Sequence, residues 1–167
     1  ANVTEVDLPR KRSTQYAFPS SLWSARAATA WQRYMHEHPN FDYFRRTRDG
    51  SAHTMEDFLS HGQWHRLALY NEFFRPLGLD DGMGLVVEAD WPVLVALGVC
   101  RAGWGFSSQE RMLLYLLRPH VTQAWRNVRA FAQLRGEMQT MSAALEALSC
   151  GVMELDRAGR ARFLSRE

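Results

Sequence analysis

Between Ala124 and Leu148, apolar side chains return at alternating intervals of three and four residues. Ala124, Phe131, Met138 and Leu145 hold one position of a heptad; Asn127, Leu134, Met141 and Leu148 hold the second. Only Asn127 in this set is polar. Such spacing is the period of a helix whose apolar stripe faces another helix. No proline interrupts the stripe, and Gly136 lies off it. The flanking positions are Ala130, Arg135, Glu137, Ser142 and Ala144. Small residues there widen the stripe, so a bundle fits as well as a two-stranded coil. Two arrangements follow: pairing with a helix of another chain or domain, or packing on the chain's own body. We take the first as the expectation, with Phe131, Leu134, Met138, Met141, Leu145 and Leu148 as the contact of a homodimer. The pattern stops at Ser149-Cys150-Gly151.

A chain of 167 residues suits one domain with an appendage. The part before the long helix is large enough to bury a real core, and six tryptophans supply much of its bulk. A net charge of +2 is too small to point to nucleic acid. The basic runs Arg10-Lys11-Arg12 and Arg45-Arg46-Thr47-Arg48 are short, sit beside turn signals and read as solvated turns. Cys100 and Cys150 are far apart in sequence and do not form a disulfide framework, which fits a reducing cytoplasm. No apolar run reaches the length of a membrane span and no signal peptide is visible. The chain lacks an initiator Met and opens directly on strand-like sequence, so both ends read as cut.

Asn2 to Leu8 alternates as a strand, Pro9 to Arg12 reads as a turn, and Ser13 to Phe18 as the returning strand. Ser24 is a good cap for a helix from Ala25 to Glu37, ended by Pro39. Phe41 to Phe44 reads as a short strand or an aromatic plug. Thr54 and Asp57 suggest a weak cap for a short helix to Leu59, and a stronger helix is predicted from Gly62 to Arg75. Met83 to Glu88 and Pro92 to Val99 form an expected hairpin through Asp90-Trp91. Ser107 and Glu110 make a capping box for a helix in which Pro119 should cause a kink or a split. Val152 to Asp156 and Ala161 to Leu164 complete a terminal hairpin. This order predicts an α+β fold: an antiparallel sheet flanked by helices, a long C-terminal helix and a terminal hairpin.

The chemical motifs are sparse. There is no Gly-x-Ser-x-Gly, no phosphate-binding loop and no dinucleotide fingerprint. Gly82-Met83-Gly84 reads as a turn into a strand, and Asp80-Asp81 and Glu5 with Asp7 lie in turns or on an edge strand. The expectation is therefore a non-enzyme without a cofactor. His61 and His65 have the i,i+4 spacing of two metal ligands. Only His53 and Glu72 offer themselves as a third, so surface or capping histidines are expected and no metal. His36 and His38 sit at a helix end and should interact with its dipole. Cys100 beside Arg101 reads as a buried strand cysteine rather than an activated thiol. Trp64, Tyr70 and Phe74 share or adjoin one helical face, and Trp91 and Trp104 bracket the central strands. With Asn71 as a polar anchor, these rings are either plain core or the lining of a small ligand pocket.

The stretch His65-Arg66-Leu67-Ala68-Leu69-Tyr70-Asn71-Glu72-Phe73-Phe74-Arg75-Pro76-Leu77-Gly78, with Arg111 to His120 later on, resembles the N-terminal regulatory region of LuxR-type bacterial transcription regulators. Asn2-Val3-Thr4-Glu5-Val6-Asp7 is similar to its first strand, with Thr4 in place of an Asn. Leu155-Asp156-Arg157-Ala158-Gly159-Arg160 resembles a turn in the linker or PAS-like module of such proteins. The resemblance implies a GAF-like sensor body over residues 1–118, a signalling and dimerisation helix over 119–149, and the start of a PAS-like module or linker over 150–167. It implies a small-molecule ligand in the body, and contact with DNA only through a domain outside this chain.

Overall fold

The computed structural model describes residues 1–7, 9–90, 92–147 and 153–164. Two residues expected at functional positions, Trp91 and Leu148, lie outside the described residues. The chain divides into two units, Ala1–Thr122 and Gln123–Glu167.

The first unit is built on a five-stranded sheet. Its strands are β1 (Asn2–Asp7), β2 (Arg12–Ala17), β3 (His53–Thr54), β4 (Asp81–Asp90) and β5 (Val93–Arg101), in the order β2-β1-β5-β4-β3. Every pairing is antiparallel. The fold is thus α+β, as the element order implies. Strand alternation sorts the residues onto two faces. Asn2, Thr4 and Val6 of β1 pair with Gly98, Ala96 and Leu94 of β5, and Gly82, Gly84 and Val86 of β4 continue the same face. The other face carries Met83, Leu85, Val87, Val95 and Leu97, all buried.

The first face is covered by helices. α1 (Ala25–Tyr34) starts where Ser24 Oγ accepts the Ala27 amide, and it buries Ala27 and Trp31. The helical region of α1 ends, as expected, before Pro39, through a 3-10 turn at Met35–Glu37 and an extended His38, and Pro39 then opens a new helix, α2 (Pro39–Thr47). The expected strand or plug at Phe41 to Phe44 is therefore corrected to a helix. Proline at the first helical position lacks only an amide that would be unpaired anyway. Phe41 and Phe44, three residues apart, both turn inward, while Arg45 binds Asp42 on the outer side. Arg48, in the left-handed conformation, closes the helix.

The single helix expected from Gly62 to Arg75 is instead broken. α3 (His61–Trp64) ends after one turn, and a π-helical turn runs from Tyr70 to Phe74. Asn71 explains the interruption. Its side-chain amide donates to the carbonyls of His65 and Leu67, a local bond that competes with continuous helix.

α4 (Ser108–Ala147) is one helix with Pro119 inside it, so the expected split is absent. Pro119 and Tyr115 are both exposed, and water can serve the Tyr115 carbonyl that proline leaves without a donor. The Ser107–Glu110 capping box forms in both directions. The start of α4 is tied down by Arg111, which makes paired bonds of 2.7 and 2.9 Å to the Asp57 carboxylate and another to the Ala52 carbonyl. Leu114 is buried, and Thr122 donates to the Val87 carbonyl, so this part of α4 lies on the second sheet face.

In the second unit, Phe131, Leu134, Met138 and Met141 are all exposed, and Leu145 is partly so. The 3–4 spacing continues upstream along α4 to His120, Leu117 and Leu113, and both leucines are exposed. β6 (Met153–Leu155) and β7 (Ala161–Leu164) form the terminal hairpin, whose turn is organised by Asp156 accepting from the Ala158 and Arg160 amides. Among the described residues, no helix is long and apolar enough to cross a membrane.

Candidate functional site

Between the first sheet face and the helices lies a cavity of about 130 Å³. Its floor comes from strands that carry small side chains at alternate positions: Ala17, Gly82, Gly84, Ala96 and Gly98. A side chain at Gly98 would collide with Asn2, since an added Cβ would fall 2.6 Å from Asn2 Oδ1. Trp31, Phe41, Phe44, Phe73 and Phe74 form much of the wall. Trp31 packs against Phe73 at 5.1 Å and edge-on to Phe41 at 6.1 Å, and its indole N–H is held by Ser13 Oγ at 3.0 Å. Small floor and large wall leave a space close to the roughly 150 Å³ that accepts a single benzene ring.

The polar lining distinguishes this cavity from a packing defect. Gln15, His38 and Asn40 all reach it. Gln15 Nε2, His38 Nδ1 and Asn40 Oδ1 are sealed from solvent and have no hydrogen-bond partner among the described residues. Buried polar atoms in native proteins are overwhelmingly paired, and leaving one unpaired costs on the order of 1–3 kcal/mol. Three residues of one cavity lining thus hold an unsatisfied donor, an unsatisfied acceptor and a ring nitrogen that can be either.

His38 is half-buried as a residue, but its Nδ1 is enclosed. Its ring stacks on Phe41 at 4.9 Å. Desolvation lowers its pKa to about 4, so the ring is neutral at physiological pH. The expected dipole interaction holds for His36, which contacts the Arg33 carbonyl, and is corrected for His38, which turns into the cavity. A pH dependence follows. Between 6.5 and about 4 the unfolded chain takes up a proton that the folded chain refuses. Stability should be full above that window and fall as pH drops through it, by at most about 3 kcal/mol. His38→Gln should flatten the slope in denaturant unfolding measured from pH 7.5 to 4.5. An unchanged slope would contradict a neutral, enclosed His38. Asp49, at the cavity edge, titrates lower: the Ser51 amide and hydroxyl hold it down to about 2. It therefore does not contribute in the same window.

Cys100 also lines the cavity, and burial pushes its thiol up to about 11. It is a protonated wall residue and no nucleophile, as expected for a strand cysteine.

Of the six residues expected to line a pocket, Phe74 does so. Trp64, Tyr70, Asn71 and Trp104 do not. They gather at the His61–His65–Asp80 cluster: Trp64 donates to the Asp80 carbonyl, Tyr70 stacks on His65, and Trp104 packs against His61. Trp91 lies outside the described residues. Sequence reasoning missed Gln15, Trp31, His38 and Asn40. A usable signal was present: Gly82, Gly84, Ala96 and Gly98 alternate on two adjacent strands and leave one sheet face without bulk. No protein-family model matches the chain, and no curated protein matches it.

Proposed function

We propose that this chain is the sensory and dimerisation part of a cytoplasmic bacterial transcription regulator of LuxR type, with a GAF-like body. The body takes up a compact, ring-sized molecule, and α4 passes the outcome to a DNA-binding domain outside residues 1–167. The observation that carries this reading is the cavity, three of whose lining residues, Gln15, His38 and Asn40, each hold a buried polar atom without a hydrogen-bond partner. A ligand with an apolar ring and both a donor and an acceptor answers those atoms. The unpartnered stripe on α4 supports the output half, since its 3–4 spacing fits a second copy of the same helix. No catalytic role enters this reading, although Ser51 and His53, in contact at 3.0 Å beside Asp49, also line the cavity.

A second reading is a dimerisation scaffold with no ligand. The α4 stripe supports it equally, and the cavity argues against it. Native mass spectrometry of the gently purified protein separates the two. A dimer carrying a discrete additional mass is the expected result. Release of that molecule and its return at a hundredfold excess over Kd should stabilise the fold by about 2.7 kcal/mol. Ala96→Leu, which fills the floor, should abolish the added mass. A dimer that never gains mass, and whose melting is unmoved by a panel of monocyclic amides, carboxylates and phenols, would leave the scaffold reading standing.

A further inference from the structure

On the other side of α3, two imidazoles and a carboxylate converge. His61 and His65, one helical turn apart, direct their Nε2 atoms to the two oxygens of Asp80, at 3.0 and 2.6 Å. The three donor groups lie within 4.8 Å of one another. Asp80 comes from the loop before β4, so the grouping depends on the fold and not on a short sequence motif. We infer that His61, His65 and Asp80 form a binding site for a divalent first-row transition ion, zinc foremost.

Two neutral imidazoles and one carboxylate are the donor types such ions take, and three protein ligands leave further positions to water or a partner. The ligands are already aimed. Tyr70 stacks on the His65 ring at 4.1 Å, Trp104 packs on His61 at 4.5 Å, and the Trp64 indole fixes the Asp80 backbone through a 2.7 Å bond. The Asn71 side chain holds the His65 carbonyl at 2.8 Å. Such outer contacts orient metal ligands in known sites. Donor atoms around tetrahedral zinc stand roughly 3.3 Å apart. Admitting an ion therefore requires the carboxylate to withdraw from both Nε2 atoms, and each imidazole to carry its remaining proton on Nδ1. The imidazoles are partly exposed, which gives the ion an entry path.

The test is titration of the full chain, stripped with a chelator and dialysed, with zinc by calorimetry and with cobalt by visible absorption and tryptophan fluorescence. The expected result is one ion per chain, cobalt bands of an imidazole-containing site, and quenching from Trp64 and Trp104 beside the ion. His61→Gln and Asp80→Asn should each weaken binding at least tenfold, whereas the surface variant His36→Gln should bind like the parent. His61 is the most exposed of the three ligands, so its variant folds even where Asp80→Asn does not. Circular dichroism of the metal-free variants checks this. Absence of saturable binding, or equal affinity in His61→Gln and the parent, would overturn the inference.

Discussion

Trp64→Ala is expected to lower folding stability by about 3–5 kcal/mol, the range for deleting a buried tryptophan. Trp64 is fully buried, the largest side chain to be so among the described residues. Its ring meets Phe74 edge-on at 5.0 Å and Tyr70 at 5.6 Å. Its N–H donates to the Asp80 carbonyl at 2.7 Å. The substitution would therefore open a large hole and leave a carbonyl unpaired at once. Trp64→Phe separates the two effects. It keeps most of the ring and loses the hydrogen bond, for a cost of about 1–2 kcal/mol. Urea unfolding at constant m-value measures both. A loss below about 1 kcal/mol for the alanine variant would mean that the surroundings collapse onto the site, and that Trp64 is not the keystone its burial indicates.

Met138→Glu combined with Leu145→Glu should halve the mass measured by sedimentation equilibrium. Two carboxylates on one stripe would face two more from the partner helix, where desolvation and like-charge repulsion both oppose pairing. The body should unfold as before, because neither residue belongs to its core. Leu117→Glu extends the test. It lies on the same heptad stripe upstream of Pro119, and a halved mass in this variant would mean that the proposed contact extends that far along α4. An unchanged mass in the double variant would exclude this stripe as the contact.

The sheet was legible in the sequence because strand alternation and turn residues agree there. β1, β2, β4 and β5 fall within a few residues of their expected bounds. The capping box at Ser107 was equally plain, and the weak cap expected at Thr54 proves to be a capping box with Asp57, since each depends on two residues a fixed distance apart. The errors share a cause. Pro119 was read as a kink or split, yet proline's cost depends on whether the carbonyl it frees can reach water; Pro39 does close the first helical region, and what was missed is that it also opens the next helix. Asn71 was read as an anchor for a ligand, but it satisfies backbone carbonyls in a broken helix. Misplacing that break put Tyr70 on the wrong face, and Trp64 and Trp104 were assigned to the same wrong site. Asp80 escaped notice as a partner of His61 and His65 because it is fifteen or more positions away in sequence, and only the fold closes that distance.

The sheet's two faces have one further consequence. Ala96 lies beneath the cavity, while its neighbours Val95 and Leu97 belong to the face that α4 covers. The partition between them is a single layer of peptide, like the skin of a drum. A guest that pressed on Ala96 or Gly84 would alter strand twist, and strand twist is shared by both sides. Thr122 is hydrogen-bonded to β4 through the Val87 carbonyl, so it would register that change without any intermediary side chain. On the proposed sensory reading, the floor of the cavity and the seat of α4 on β4 are two sides of the same backbone.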